Sequence, residues 1–286
     1  MNLEKEVFQR DVQREDGRTN DQIRPIFIKY DYVGYASASV LFCMGKTKVL
    51  VSITLQDGLP PFLKGQKVGW LTAEYAMLPC ATKKRSNRES NQQFKNSRSV
   101  EISRLIGRSF RSVTDLSLIP EKTIMIDCDV LQADGGTRVA SITAASLALN
   151  LAQKRWIKSG IIEKNILQEQ VGAISLGFVK NNLLLDLSFS EDSQAESDFN
   201  FVLTKSGKVI ELQGTAEKKV LSWEQFDKIK NLAINGINNL FETFEKLEKE
   251  RIDRNFSNKV LDNKFQKSAK LHDKLPMFSL ANRLVK

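Results

Sequence analysis

A glycine-rich run carries residue types suited to binding a phosphate group. The run ADGGTR occupies residues 133–138 and includes Gly135, Gly136, Thr137 and Arg138. Glycines allow backbone N–H groups to turn toward an anion, and the partial positive charge at a helix N-terminus favours one. The threonine hydroxyl and the arginine guanidinium add further donors. The spacing therefore predicts a phosphate cradle, although a tight strand-to-helix turn would use the same glycines.

A second group of candidate residues is acidic. Glu191, Asp192, Glu196 and Asp198 place four carboxylates within eight residues. Carboxylate oxygens are ligands for hard divalent cations, but the spacing is not that of an EF-hand, and ordinary acidic surface turns have a similar composition. Combined with the predicted phosphate cradle, this acidic segment indicates phosphoryl transfer, in which carboxylates place a metal ion beside a bound phosphate.

Positive charge is concentrated in two parts of the chain. The formal net charge is +9, and nine basic residues lie between Lys83 and Arg111 against only Glu89 and Glu101. From Arg251 onward there are nine basic and three acidic side chains. Clusters of this kind indicate a polyanionic partner, and a nucleic-acid backbone fits an exposed loop at residues 83–98. The alternative is a solvated charged surface.

The histidine and cysteine contents exclude several kinds of site. The single histidine is His272, near the C-terminus, so Ser-His-Asp and Cys-His nucleophilic sites and histidine-based zinc sites are excluded. Cys43, Cys80 and Cys128 form no CxxC pair, so neither a disulfide framework nor a zinc site is predicted. The chemistry must rest on arginine, lysine, carboxylates, hydroxyls or an oxygen-liganded metal.

The predicted elements that position these residues form an α+β arrangement in two similar halves, each a group of strands followed by a helix. One helix is predicted over residues 101–115, with Ser99 as its cap, and another over residues 139–158. A capping box at Ser222–Gln225 opens a third. The alternation of apolar and polar residues predicts strands at residues 26–30, 39–42, 47–54, 123–130, 171–178, 183–189, 199–204 and 208–212.

Hydropathy and termini predict the location and the domain organisation. The most apolar run, residues 144–152, is far shorter than the roughly 20 residues that a membrane span needs. The N-terminus has no apolar signal core, so we expect a cytoplasmic protein that does not engage a membrane. Residues 1–16 are predicted to be a polar arm and residues 17–250 a catalytic domain. Residues 251–286 are predicted to be a poorly ordered basic extension.

Several runs of the sequence resemble the ribonuclease PH family of phosphorolytic 3′→5′ exoribonucleases. They occur in the family's order and span about residues 17–250. The resemblance implies an α+β ribonuclease PH-like fold (ribosomal S5 domain 2-like), with two related βαβ-type halves and helices packed on mixed sheets. The matching runs are GWLTAEYAMLP at 69–79, EISRLIGR at 101–108, DCDVLQADGGTR at 127–138, EDS at 191–193, DFN at 198–200 and QGTAE at 213–217.

The resemblance implies a mechanism as well as a fold. Inorganic phosphate would be the co-substrate, attacking the 3′-terminal phosphodiester of RNA and releasing a nucleoside diphosphate. Two carboxylates of the family bind Mg²⁺ (or Mn²⁺) or assist the leaving oxygen, and the matching residues are Asp192 and Asp198. The residues that match the family's phosphate ligands are Arg98, Gly136, Thr137 and Arg138.

The resemblance further implies tRNA precursors as substrates and a homo-hexameric ring built as a trimer of dimers. Arg85 and Arg88 match residues that grip the RNA near the entrance. The chain departs from the family at Cys80, where an RNA-gripping arginine is usual, and at Lys218, where glycine is usual. An alternative is a catalytically silent RNA-binding subunit of an exosome-like ring, but such subunits typically lose the phosphate arginines or the acidic pair.

Overall fold

The computed structural model describes residues 14–88 and 96–272, with side chains described as far as Arg251. The first of two sheets has the strand order β1-β2-β3-β5-β4. Every neighbouring pair in it is antiparallel except β4 and β5, which are parallel. The strands are β1 (Ile26–Tyr30), β2 (Ala38–Met44), β3 (Thr47–Asp57), β4 (Trp70–Met77) and β5 (Lys122–Gln132).

Strand β5 lies between β3 and β4 and leads directly into the glycine-rich run. Its alternating residues behave as the pattern predicts, because Ile124, Ile126 and Val130 are fully buried whereas Asp129 on the other face is exposed. Strand β4 was not among the predicted strands. As the strand parallel to β5, it brings Tyr75 close to the start of the following helix.

Helix α2 (Thr137–Lys158) follows the glycines and packs against β2 and β3 of the first sheet and β6 of the second. It is buried on most sides, which explains why its sequence is apolar almost all round. The hydroxyl of Thr143 bonds the backbone of Ala173, and that of Ser146 bonds the N–H of Val171. The helix therefore joins the two sheets through both packing and hydrogen bonds.

The second sheet has the order β7-β6-β8-β9 and is antiparallel throughout, whereas mixed sheets were predicted for both halves. Strand β7 ends sooner than predicted, because Asp186 has a φ of 54° and leaves the extended conformation. A short helix, α3 (Phe189–Asp192), then precedes β8. The strands are β6 (Val171–Val179), β7 (Asn182–Leu185), β8 (Ser197–Thr204) and β9 (Val209–Thr215).

The boundaries of two further helices differ in part from the prediction. Helix α1 (Ser97–Arg111) starts earlier than predicted, and its cap is Asn96, whose side chain accepts the N–H of Arg98, rather than Ser99. Its predicted apolar face is buried. Helix α4 (Trp223–His272) opens with the predicted capping box, in which Ser222 and Gln225 exchange hydrogen bonds.

The predicted termini fall partly outside the described residues. Residues 1–13 of the predicted arm lie outside them, and Arg14 is a buried residue instead of part of a solvated arm. The backbone of α4 continues to His272, although residues 251–286 were predicted to lack regular structure. Residues 251–272 contain neither glycine nor proline, so a helix is permitted even without an apolar stripe. Among the described residues, contacts divide the chain after Phe241 into two compact units.

Within the part of the chain that the structure describes, none of the helices is long and apolar enough to span a membrane.

Candidate active site

The glycine-rich turn between β5 and α2 has the backbone geometry expected of an anion cradle. Gly135 and Gly136 have φ values of 77° and 65°, in the left-handed region that disfavours other residues. A Cβ atom on Gly135 would lie 2.6 Å from the carbonyl oxygen of Leu187 and 2.7 Å from the amide nitrogen of Phe189. Only glycine fits here, because the turn touches the backbone that leads into α3.

The structure brings the two predicted phosphate arginines to this turn. Arg98 lies in the first turn of α1 and Arg138 in the first turn of α2. Both line a small recess with Gly136 and Thr137, so the four predicted phosphate ligands share one site. The recess adjoins a cleft of about 670 Å³ whose lining also includes both arginines. Two guanidinium groups and a helix N-terminus make this corner of the molecule suited to an anion.

Two side chains that the sequence did not single out hold the guanidinium of Arg138. Its Nη1 donates to Oε1 of Gln213 on β9 at 2.5 Å, and its Nη2 lies 3.6 Å from Oε1 of Glu101. Gln213 in turn donates to Glu211, which also pairs with Arg108. The orientation of Arg138 thus depends on a strand of the second sheet, although the residue itself belongs to α2.

Asp192 and Asp198 line the same cleft as the arginines. Burial raises the pKa of Asp192, the nearby charge of Asp198 raises it further, and Arg98 and Arg138 oppose the rise. Burial also raises the pKa of Asp198, with Glu217 adding to the effect and Arg138 opposing it. Because burial is the main cause of these raised pKa values, the ionised carboxylates are poorly solvated, and a bound cation would stabilise them.

The donor set around this pair suits Mg²⁺, which does not need a cage made only of protein ligands. Among the described residues, no group of three or more His, Cys, Asp or Glu is arranged to hold a metal ion. Mg²⁺ is commonly held by one or two carboxylates, with waters and substrate phosphates completing its shell. Asp192 and Asp198 beside a phosphate site meet that requirement, and Mn²⁺ prefers the same oxygen ligands.

The other two carboxylates of the acidic segment, Glu191 and Glu196, have partners elsewhere. Glu191 forms a two-point ion pair with Arg14, at 2.7 and 2.8 Å, and also accepts the N–H of Ser188. Glu196 accepts the N–H of Asn181. Spacing along the chain could not separate these four residues, because α3 turns neighbouring side chains in different directions.

The predicted RNA-binding arginines are not in the cleft. Arg85 and Arg88 are exposed and precede residues 89–95, which lie outside the described part of the chain. Cys80, at the position where an arginine was expected, is exposed as well. Their exposure suits a contact with the backbone of a nucleic acid.

Sequence reasoning missed a buried layer of polar residues behind the cradle. Tyr75 donates to the hydroxyl of Thr137 at 2.9 Å, and Arg24 pairs with Asp186 at 2.6 Å, with both side chains nearly inaccessible. Arg14 was assigned to the polar arm, and Arg18 and Arg24 were given no role. Asp186 directly follows the apolar residues 183–185, and this position was the one indication in the sequence of a buried charge.

The chain is similar to known proteins in both sequence and fold. The family model for the 3′ exoribonuclease family matches as domain 1 over residues 22–155 and as domain 2 over residues 169–236. Ribonuclease PH of Bacillus subtilis (strain 168) is 47% identical over 230 residues, which cover 80% of this chain and 94% of that protein. Ribonuclease PH of Tropheryma whipplei (strain Twist) is 50% identical over 226 residues, covering 79% and 91%.

A solved structure of the Archaeoglobus fulgidus exosome with RNA bound to the active site is similar in fold, with a TM-score of 0.68 and 25% identity. The match covers 81% of this chain and 92% of that one. The two family domains correspond to the two sheets, and the relatives match almost along their full length. The chain therefore belongs to the ribonuclease PH family of phosphorolytic 3′ exoribonucleases.

Proposed function

We propose that this chain trims the 3′ ends of tRNA precursors by phosphorolysis, using the residues that meet in the cleft. The observation that carries the proposal is the meeting of Arg98, Arg138 and the glycine turn with Asp192 and Asp198 in one cleft. The anion site and the acidic pair are contributed by different sheets, and an enzyme that transfers a nucleotide to phosphate needs both.

In the proposed reaction, inorganic phosphate lies in the cradle of Arg98, Thr137, Arg138 and the turn at Gly136. One of its oxygens attacks the phosphorus atom of the last phosphodiester of the RNA. The bond from that phosphorus to the 3′ oxygen of the preceding nucleotide breaks, and this oxygen takes up a proton. The products are a nucleoside diphosphate, whose outer phosphate is the former inorganic phosphate, and an RNA shortened by one nucleotide.

The arginines have two roles in this reaction. They hold the phosphate nucleophile next to the scissile group, and they offset the negative charge of two phosphates brought together. No protein nucleophile is involved, in keeping with the lack of a histidine in the described core. These roles are those of positioning and charge stabilisation, which account for most catalysis of phosphoryl transfer.

Asp192 and Asp198 would hold Mg²⁺ or Mn²⁺, which when bound would offset charge on the phosphate oxygens. The alternative to this metal role is that one of the two carboxyls, whose pKa values are raised, carries the proton that the departing 3′ oxygen requires. Arg85 and Arg88, exposed ahead of α1, would contact the RNA backbone farther from its end.

We also propose that the chain assembles as a homo-hexamer, a trimer of dimers, and works in the cytoplasm on RNA. The similar archaeal exosome is described with RNA at its active site, which supports RNA as the substrate. A catalytically silent role in a ring is disfavoured, since both phosphate arginines and both aspartates are retained. Light scattering of the purified chain would show a hexamer of one polypeptide, and a monomer or dimer would contradict that assembly.

The deciding experiment measures products from a tRNA precursor with and without inorganic phosphate. Nucleoside diphosphates should form only when phosphate is present, and their yield should match the phosphate consumed. Release of monophosphates, or an equal rate without phosphate, would overturn the proposal. Arg98→Ala should remove nearly all activity at low phosphate. Arg104→Ala, an exposed arginine on the same helix, should leave the rate unchanged.

A further inference from the structure

The carbonyl groups of the phosphate turn are held by two buried side chains that do not line the cleft. These side chains are Arg24, from the segment before β1, and Thr47, the first residue of β3. Their exposed fractions are 3% and 0%, so neither is available to a ligand. Both contact the backbone of Asp134 and Gly135, immediately before Gly136.

Arg24 spans the distance between the turn and the second half of the fold. Its Nη1 donates to the carbonyl oxygen of Asp134 at 2.5 Å, and its Nη2 lies 3.4 Å from that of Gly135. Its Nε and Nη2 donate to the two carboxylate oxygens of Asp186 at 2.9 and 2.6 Å. The backbone N–H of Arg24 also donates to Asp186, so the pair is fixed in one geometry.

Thr47 holds the same turn from the first sheet. Its hydroxyl donates to the carbonyl oxygen of Gly135 at 2.7 Å and accepts the N–H of Asp134 at 3.0 Å. The carbonyl oxygen of Gly135 therefore has donors from two directions. Both contacts engage backbone groups of the turn without using its glycine N–H groups.

The consequence for anion binding follows from the polarity of the peptide group. A carbonyl oxygen directed into the cleft would repel phosphate, whereas an N–H group would attract it. With the Asp134 and Gly135 carbonyls bound to donors behind the turn, the N–H groups at the start of α2 are left to face the anion. Glycine's wide range of backbone conformations makes this restraint necessary, because an unrestrained pair of glycines could rotate either way.

We infer that Arg24 and Thr47 are positioning residues that set the phosphate turn in its anion-binding conformation; this inference rests on the proposed function. They do not touch substrate, so their loss should weaken phosphate binding while leaving the reacting groups in place. The expected result is a higher KM for phosphate. The kcat at saturating phosphate and the KM for RNA should change little.

The test compares two variants with two matched controls. Arg24→Lys keeps the charge but cannot bond Asp186 and two carbonyls together, and KM for phosphate should rise about tenfold. Thr47→Val is nearly isosteric, buries no new charge and should raise KM about fivefold. Arg155→Lys is the arginine control, since Arg155 also bonds an aspartate and a carbonyl but on the exposed surface. Thr54→Val, on the same strand as Thr47, is the threonine control.

A purely structural role would instead lower kcat through a smaller active fraction and leave KM for phosphate unchanged, and this result in both variants would overturn the inference. Should Arg24→Lys fail to fold, Thr47→Val decides alone. Hydrogen exchange in RNA-free protein gives a readout that does not depend on activity: protecting the Gly136 and Thr137 amides should require about fivefold more inorganic phosphate in Thr47→Val than in Thr54→Val. An equal phosphate requirement in the two variants would contradict the inference, whereas a parent enzyme indifferent to phosphate would contradict the proposed function.

Discussion

The phenolic oxygen of Tyr75 lies 2.9 Å from the hydroxyl oxygen of Thr137, and the tyrosine is the donor. Burial raises the pKa of Tyr75, so the phenol keeps its proton throughout the neutral range. Thr137 already has a donor on its oxygen, and its own hydroxyl hydrogen is therefore directed to another acceptor. The recess that Thr137 lines with Arg98 and Arg138 is where phosphate would provide one.

Replacement of Tyr75 by phenylalanine should weaken phosphate binding without preventing assembly. With the donor gone, the Thr137 hydroxyl is free to turn, and we expect KM for phosphate to rise by about fivefold, the equivalent of one ordinary hydrogen bond. Initial rates at several phosphate concentrations measure this. Tyr35→Phe, at a fully exposed tyrosine, is the control and should match the parent. An unchanged KM in Tyr75→Phe would show that Thr137 does not donate to phosphate.

Removal of the charge of Asp192 should increase stability while abolishing activity. Its folded-state pKa is raised above the ordinary value of 3.8, so its contribution favours folding at low pH and is lost as the pH rises through the folded-state value. At pH 7 the free carboxylate therefore opposes folding. We expect Asp192→Asn to raise Tm in metal-free buffer, as thermal unfolding would show.

The same reasoning gives a pH dependence. Activity should fall on acidification with a midpoint above the ordinary carboxylate value, because the pair must be ionised to bind a cation. Added Mg²⁺ should move that midpoint downward, since the cation competes with protons. The control is Asp227→Asn, at an exposed aspartate paired with Lys230. This variant should neither raise Tm nor alter the pH profile. A lower Tm for Asp192→Asn would refute the stability prediction.

Gln213→Glu should compete with phosphate for Arg138. Gln213 now offers Arg138 a neutral oxygen, and a carboxylate there would form a stronger ion pair and add negative charge to the cleft. We expect KM for phosphate to rise about tenfold or more, as for a hydrogen bond to a charged group. Gln225→Glu is the control, because its oxygen caps α4, where a carboxylate is favourable. A KM equal to that of the parent would mean that Gln213 does not govern Arg138.

Two alanine substitutions distinguish the stability cost of backbone strain from that of steric contact: Gly135→Ala and Gly160→Ala. Both glycines have positive φ, so alanine costs each about 1–2 kcal/mol of stability. A Cβ at Gly160 meets nothing within 4 Å, whereas at Gly135 it meets the backbone of residues 187–189. Gly135→Ala should therefore cost about 1–3 kcal/mol more in urea unfolding, and phosphorolysis should be lost. Equal costs for the two variants would show that α3 moves away freely.

Local patterns were sufficient to predict most individual elements. The alternation at residues 123–130 identified β5, and the glycines after it identified the turn, because only those residues adopt its backbone angles. The capping box at Ser222 identified the start of α4 for a similar reason: the bonds involved are between neighbours in sequence. The predicted phosphate residues were brought together as expected, although Arg98 was identified from the family resemblance and not from any local pattern.

The contacts that hold the site together could not be predicted in this way. Arg24 and Asp186 are separated by 162 positions, and Arg138 and Gln213 by 75. Such pairs depend on the relative placement of the two sheets, which no periodicity records. For the same reason the sequence could not show that Glu191 has a different role from Asp192, since the partner of Glu191 is Arg14, 177 residues away.

The two sheets contribute different parts of the cleft: the first positions the cradle for the anion, and the second positions the two aspartates. Each contribution can therefore be lost by descent without the other. A duplicated copy that mutated only Asp192 and Asp198 would keep its folded cradle, so under the proposed function it would still bind inorganic phosphate but no longer a cation. Such a copy would survive as a folded subunit that no longer shortens RNA.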